Sequence, residues 1–554
     1  MKTNPVRRRS AVVSLVALVG LVLSAGFAAS PALASPTPLT LTVCNHGCDF
    51  RAIAPAIAAA PAGATIQVGP GNFAGGLVID KNLTLAGQGA SRTTISGGGP
   101  VVTIGGFLAA TEPTVAIRGV TITGGITHAS PGRTDEALGG GIFIVPSANW
   151  AAGATVTVAD SVITGNIATP LATSPNGPPC PDGICPFGQG GGGGIDSWGH
   201  LTVTRTTVSG NVAGAGPGLA SDSDGGGIYV QQGSLAISAS TVTRNRSVAL
   251  APDGRFAEGA GIMVDSTGTA GTPALSFSMS STSVTGNVAT LTNTLPSFAG
   301  GDQLEMNANA GGVHVGDDVP TTITSSEVVG NSASAVDPDG EPIGVDAGIK
   351  IGDSPFTMTG SRVDDNTAIT VSATSADVGA AGSALEMDGA STVSNSSISN
   401  NVSRSTSASG IAATGGAIAV LNFTNDTAPV TIQGSRIDGN ITESFTSSGS
   451  AIAQGSGIFN NGLLTLKDDQ LTGNVARAIG PNATAQGGAI WNGIELSGPP
   501  VELTITGSTI TGNSVTGSAG ASLAGGGLYT TLPVTITASR IAFNSPDQCS
   551  GTTC

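Results

Sequence analysis

Residues 225–245 read GGGIYVQQGSLAISASTVTRN. Three short segments in it alternate apolar and polar residues: Gly227 to Val230, Ser234 to Ala239 and Thr241 to Asn245. A Gln-Gln-Gly turn parts the first two, and almost nothing parts the last two. Such a unit is too thin to bury its own apolar face. It recurs down the chain, so each copy is expected to stack on the next and share one core.

A recurring asparagine closes the third segment: Asn166, Asn211, Asn245, Asn287, Asn331, Asn366, Asn401, Asn440, Asn474, Asn513 and Asn544. T-G-N or S-G-N often precedes it, as at Ile163 to Asn166, Val208 to Asn211 and Leu471 to Asn474. Stacked asparagines can bond amide to amide from coil to coil, which satisfies polar groups at a buried corner. The spacing runs from 31 to 45 residues, and the variation lies in the connection after the asparagine, as in Ala168 to Gly190 and Val248 to Gly259. Insertions confined to one corner project from one side of a stack. Three strands per coil with parallel stacking describe an all-β chain, a single-stranded right-handed parallel β-helix. About 13–14 coils at ~4.8 Å each give a rod on the order of 60–70 Å long.

The organisation ahead of the regular repeats is less even. Residues 1–34 read as a secretory signal, with Arg7, Arg8 and Arg9, an apolar run from Ala11 to Phe27, and small residues at Ala32-Leu33-Ala34. Residues 35–50 form a Pro-rich leader and cap. Residues 51–138 hold irregular coils, and residues 139–554 the regular repeats. Phe50 to Ala59 predicts a short capping helix interrupted at Pro55. Strand-like runs follow at Thr65 to Val68, Gly76 to Ile79, Asn82 to Ala86, Thr94 to Ser96, Val101 to Ile104 and Thr114 to Thr123.

The chain has 554 residues, 84 of them glycine, with 3% aromatic residues, and this scarcity fits a thin core fed by many short strands. Its net charge of −16 leaves no basic stripe to neutralise phosphates, which excludes nucleic acid as a partner class. No stretch after the signal is long and apolar enough to span a bilayer. The chain is expected as a monomer, secreted or held at the cell surface. The six cysteines fall in close pairs, Cys44 with Cys48, Cys180 with Cys185 and Cys549 with Cys554, which in an exported chain read as three local disulfides.

Ile53 to Ala59, Thr65-Ile66-Gln67-Val68, Pro70-Gly71-Asn72-Phe73 and Lys81 to Gly87 resemble the first coils of pectin-lyase-like β-helix proteins. The later coils resemble bacterial β-helix repeats, including those of chlamydial polymorphic outer-membrane proteins. The G-G-A-[ILV] of those repeats stands at Gly415 to Ile418 and Gly487 to Ile490, but their regular F-x-x-N is missing. The resemblance implies a fold, not an activity. In the pectin-lyase-like enzymes it places the cleft on the outward face of the first strand. Their QD…DFIFG, RxPxxR and NTD…GHG…RIK sets are not found here, and Gly348-Ile349-Lys350-Ile351 only echoes the last.

The middle residue of each first strand must point away from the core. That column reads Phe143, Asp196, Tyr229, Met263, His314, Lys350, Glu386, Ala419, Phe459, Trp491 and Tyr529. Phe459, Trp491 and Tyr529, with Tyr229, are expected to form an exposed aromatic strip suited to sugar rings. His314, Lys350 and Glu386 follow on consecutive coils. His314 or Glu386 would serve as general acid or base, and Lys350 would hold an oxyanion or a carboxylate. Simple charge pairing on a solvated face is the plainer reading. Asp317, Asp353 and Asp388 in the turn, with Asp337 and Asp339 in a loop, offer oxygen ligands to Ca²⁺. Asp265, Asp318, Asp302, Glu305 and Glu341 lie near them. The first functional expectation is a non-catalytic protein binding polysaccharide or a surface glycan. A polysaccharide lyase or glycoside hydrolase acting on the same face is the second, and a structural envelope spacer the third.

Overall fold

The computed structural model describes residues 39–109, 112–130, 136–148, 152–170, 188–214, 220–250, 256–265, 275–292, 306–337, 342–372, 378–380, 382–421, 428–494 and 501–554. The signal segment and the Cys180 and Cys185 pair lie outside these residues. So do Asp302, Glu305, Asp339 and Glu341, and the side chain of Asp337 is likewise not described.

The chain winds as a right-handed parallel β-helix. In the quoted coil the first strand is Ile228–Val230, the second Ser234–Ser238 and the third Thr241–Thr243. Each pairs in parallel with its counterparts in the coils before and after, building three sheets of fourteen, fifteen and fourteen strands. Alternation decides the filling. Ile228, Val230, Leu235, Ile237 and Val242 point inward and are buried, and their counterparts fuse into one continuous core. Burying one such side chain is worth about 1.5–3 kcal/mol. The helix Ile53–Ala59 closes the N-terminal end with Ile53, Ala56 and Ile57. It accommodates Pro55, because an amide in the first turn has no helical acceptor to lose. Disulfides join Cys44 to Cys48 and Cys549 to Cys554.

The asparagine corner is a closed hydrogen-bond circuit. The Asn245 side-chain amide donates to Asn287 Oδ1 at 3.0 Å and to the Val208 carbonyl at 3.0 Å. The Asn245 backbone amide donates to the same Asn287 oxygen at 2.9 Å. This pattern runs unbroken from Asn166 to Asn544, where Gln548 receives the last amide. The residue before each asparagine turns the chain through positive φ, which explains T-G-N: Gly165, Gly210 and Gly286 lie near +60°. Arg244 at 53° and Phe543 at 61° take the same conformation without that freedom.

A second ladder, at the corner between second and third strands, carries hydroxyls. Ser161, Thr206, Ser240, Thr282, Ser326, Ser361, Ser396, Ser435 and Ser508 each donate to the carbonyl two residues back. Each also accepts a backbone amide from the preceding coil, as Ser326 does from Thr282 at 3.2 Å. Asp469 breaks the series with a carboxylate that accepts from Ser435 and Lys467 amides.

Three strands do not complete a coil. After the asparagine a fourth strand leaves the rod, as in Arg246–Leu250, and a return strand, as in Phe256–Glu258, leads back. The segments expected as loops thus stack into further parallel layers, a seventeen-stranded sheet and one of five strands. Small residues close these layers onto each other, Ala249, Ala257, Ala289 and Ala308 in one cluster and Ala451, Ala476 and Ala485 in another.

Replacing Asn287 by Ala strands the Asn245 amides and the Val242 carbonyl, which Asn287 now satisfies. A loss of about 3–9 kcal/mol follows from ~1–3 kcal/mol for each of the buried unpaired groups. Thermal unfolding should show a far larger drop for Asn287→Ala than for Asn544→Ala at the end of the ladder. Asp469→Ser tests the second ladder. Burial raises the Asp469 carboxyl to about 6 from 3.8. Its stabilisation is complete at acid pH and is lost as pH rises from about 4 to 6. The serine variant should therefore gain on the order of 2 kcal/mol above pH 6 and nothing near pH 4.

Candidate functional site

The outward column of the first sheet stacks in the register expected from the sequence. Tyr229 lies opposite Met263, Met263 opposite His314, His314 opposite Lys350, and Lys350 opposite Glu386. Ala419, Phe459, Trp491 and Tyr529 continue the line. The column is not a free surface. Return strands bend over it, so the two sheets enclose a wedge.

Its filling changes along its length. Leu138 from a return strand packs with Phe143, Val145 and Trp198 at the N-terminal part. At the C-terminal part Ala419, Leu421, Phe459 and Trp491 form a second apolar plug, with Tyr529 against it. Phe459 and Trp491 stack face to face at 4.5 Å. The aromatic strip is therefore a correction. Tyr229, Phe459 and Trp491 are buried, and of the four expected sugar-binding residues only Tyr529 is half-buried. Covering an exposed aromatic face removes apolar area from water, and the return strands supply that cover.

Between the plugs the wedge is ionic. Return strands contribute their last residue, three or four positions ahead of the next first strand: Asp224, Glu258, Asn309 and Asp346. Lys350 Nζ lies 2.7 Å from Glu386 Oε1 and 3.6 Å from Asp346 Oδ2. His314 Nδ1 lies 3.4 Å from Glu258 Oε2, while Asn309 Nδ2 donates to Glu258 Oε1 at 2.8 Å. The Asp224 carboxylate accepts from Gln189 Nε2 at 2.5 Å. Glycine makes room: a Cβ at Gly382 would meet Asp346 Oδ1 at 2.4 Å, and one at Gly316 would meet Asp265 Oδ1 at 1.9 Å.

These surroundings shift protonation strongly. Burial, then the neighbouring Glu386 carboxylate, pushes Asp346 and Asp388 well above the usual carboxylate range, although Lys350 opposes both. Burial and Glu258 do the same to Asp224, and burial raises Glu258. Burial, helped by Lys350, lowers His314 to about 4, so its imidazole is neutral at pH 7. Burial opposes the charge on Lys350, but Glu386, Asp346 and Asp388 outweigh it and hold the ammonium well above the ordinary lysine value.

His314, Lys350 and Glu386 are thus brought together, as their spacing implied. Glu258, Asp346, Asp224 and Asn309 are the partners that sequence reasoning passed over. The five residues from Glu258 to Met263, and the four from Asp346 to Lys350, would have placed them. The turn carboxylates stand beside the wedge mouth: Asp317 is exposed, Asp353 and Asp388 half-buried, and the Asp353 amide donates to Asp317 Oδ1 at 2.8 Å. Among the described residues no three His, Cys, Asp or Glu side chains converge as a metal ion would require. No described helix is long and apolar enough to cross a membrane.

No family model matches the chain, and no curated protein matches it. Solved structures similar to it include a pectin methylesterase in complex with a hexasaccharide. It is 11% identical over 73% of this chain and 80% of its own, with a TM-score of 0.23. The mannuronan C-5 epimerase A-module of Azotobacter vinelandii is 12% identical over 90% and 93%, at 0.26. The catalytic domain of a GH87 α-1,3-glucanase is 10% identical over 85% and 71%, at 0.24. At such values the likeness says nothing about activity.

The titrations act on stability with opposite signs. A lowered histidine loses stability as pH falls from 6.5 towards 4, whereas raised carboxyls lose it as pH rises above about 4 through their folded values. Melting temperature should therefore peak in weakly acidic buffer and fall towards pH 8. In a pH series of thermal melts, Asp346→Asn should flatten the alkaline decline and His314→Gln the acid one.

Proposed function

We propose that the protein is an exported enzyme that cleaves a polysaccharide by hydrolysis at the Asp346, Lys350 and Glu386 cluster. The observation that carries this reading is a carboxyl pair bridged by a buried lysine, with Lys350 Nζ 2.7 Å from Glu386 and 3.6 Å from Asp346. Perturbed ionisable groups concentrated in a cleft are a mark of catalytic sites.

The protonation states choose among reactions. Asp346 keeps its proton near neutral pH and can pass it to a glycosidic oxygen as general acid. Glu386, 2.7 Å from Lys350 Nζ, accepts a proton from the water that adds to the anomeric carbon. The proton then returns to Asp346. One C–O bond breaks, one water is consumed, and the pair is reset. Hydrolysis needs a protonated acid at the leaving glycosidic oxygen, which Asp346 supplies. Neutral His314, its Nδ1 3.4 Å from Glu258, borders the pair. Passive binding through aromatic faces has less support, because Phe459 and Trp491 fill each other's faces inside the wedge.

The test is incubation of the mature chain with a polysaccharide panel, scoring new reducing ends and retention on the polymer. Wild type should release shorter products. Asp346→Asn and Glu386→Gln should each cut the rate by about 10²–10⁴-fold when assayed well below the melting temperature of each variant. Retention without products, unchanged in both variants, would overturn the catalytic reading and leave the cluster as a structural tie between return strands and rod.

A further inference from the structure

The seventeen-stranded sheet has an outer face that takes no part in the wedge. Its strands Ile441–Thr446, Val475–Ile479 and Ser514–Gly517 pair in parallel on successive coils. Alternation sends Thr442, Ser444, Ala476 and Ala478 inward, where they are buried. Ile441, Glu443, Val475, Arg477 and Ile479 therefore face out. On the last strand the side chains shorten: Arg477 lies opposite Thr516, and Ala478 opposite Gly517. The step leaves an open hollow of about 560 Å³. That volume lies within the roughly 300–1,000 Å³ of small-ligand sites. Ile441, Val475 and Ile479 line it with carbon, and Arg477, Thr516 and Ser518 with polar groups.

The charges beside the hollow do not cancel. Arg205 with Asp160 and Arg436 with Asp438 pair one guanidinium with one carboxylate. Here Arg404 and Arg477, two coils apart, share the single Glu443 carboxylate between them. The sharing is unequal. Arg404 donates to Glu443 Oε2 from Nε at 2.9 Å and from Nη2 at 2.6 Å. Arg477 reaches Oε1 with Nη1 alone, at 3.4 Å. Its other N–H groups have no partner among the described residues, and its side chain is half exposed. The Ser518 hydroxyl donates to the Gly480 carbonyl at 2.6 Å, whereas the exposed Thr516 hydroxyl has no described partner.

A chain of net charge −16 thus carries a hollow that is locally positive and lined with carbon. A guanidinium presents parallel N–H groups that match a pair of anionic oxygens. A bare inorganic anion would leave the apolar lining unused, and an uncharged sugar would leave Arg477 unmatched. A sugar ring bearing an anionic group uses both, with its C–H face against Val475 and Ile479 and a hydroxyl at Thr516. We infer that this hollow is a second glycan site, separate from the wedge, that holds one acidic sugar by carboxylate or sulfate oxygens on Arg477. The inference rests on the hydrolytic reading only for the word glycan. Elsewhere the negative surface repels such a polymer, so a local cation decides where it is held.

The experiment uses one backbone in three forms: dextran, carboxymethyl dextran and dextran sulfate of matched length. Affinity electrophoresis of the mature chain at pH 7 in low salt reads binding. At least one anionic form should bind tenfold or more tightly than dextran and weaken steeply with salt, and the form that does so identifies the anion. Arg477→Glu should abolish this preference. Thr516→Trp, which fills the hollow and keeps the charge, should weaken it at least tenfold. Arg118→Glu, the same reversal at an exposed position of the fifteen-stranded sheet, should keep it. Equal binding of all three polymers, or of none, would overturn the inference. So would equal loss in Arg477→Glu and Arg118→Glu, or unchanged binding in Thr516→Trp. Asp346→Asn should bind as wild type does. Binding that depends on Arg477, with no polysaccharide ever shortened, would remove the hydrolase reading and leave this one standing; shortening that depends on Asp346, with no anionic form bound, would do the reverse.

Discussion

The buried asparagine corner is the constraint on which the rest of the molecule depends. Each amide there donates to the next coil and to the previous one, so the corner has no unsatisfied group except at its ends. Net hydrogen-bond energies are modest, about 1 kcal/mol each, but the alternative of an unpaired buried amide is not. That asymmetry fixes the coil step. Sheets of short strands, some only three residues long, could slip if apolar alternation alone held them. With the amides in line, a slipped coil would lose the corner and its core facing together.

The same register carries over to the wedge. The return strand ends just ahead of a left-handed residue, Gly225, Gly259 or Ala310 with φ of 50°, and the next first strand begins three residues on. A carboxyl placed just ahead of that bend and a side chain in the middle of the first strand are delivered to one place from two directions. Buried ionic clusters are costly to desolvate, and one lysine does not balance this one. The groups respond by keeping protons, and the apolar plugs on either side confine the polar stretch to a few coils.

Much of this was legible in the sequence, and the limits were physical. The three strands of each coil, the asparagine corner and the register of His314, Lys350 and Glu386 follow from alternation and spacing. The fourth and return strands were missed because their inner faces are alanine, serine and threonine, which give little apolar contrast, and because their lengths vary. Missing them made Phe459 and Trp491 look exposed and hid Glu258 and Asp346 behind apparent loops. The hydroxyl corner at Ser240 and Ser326 was equally readable as a recurring position, but serine and threonine are so common here that the recurrence is masked.

Because one coil supplies both a return-strand position and a first-strand position, the wedge is built in the same increments as the rod. Duplicating or deleting a whole coil would lengthen or shorten the polar stretch by one ~4.8 Å step without disturbing the corner that holds its neighbours. The composition of the cleft is thus a string written one coil at a time: apolar, acidic, basic, apolar. A lineage could edit that string by unequal recombination between repeats, changing what the cleft holds while the scaffold beneath it stays the same.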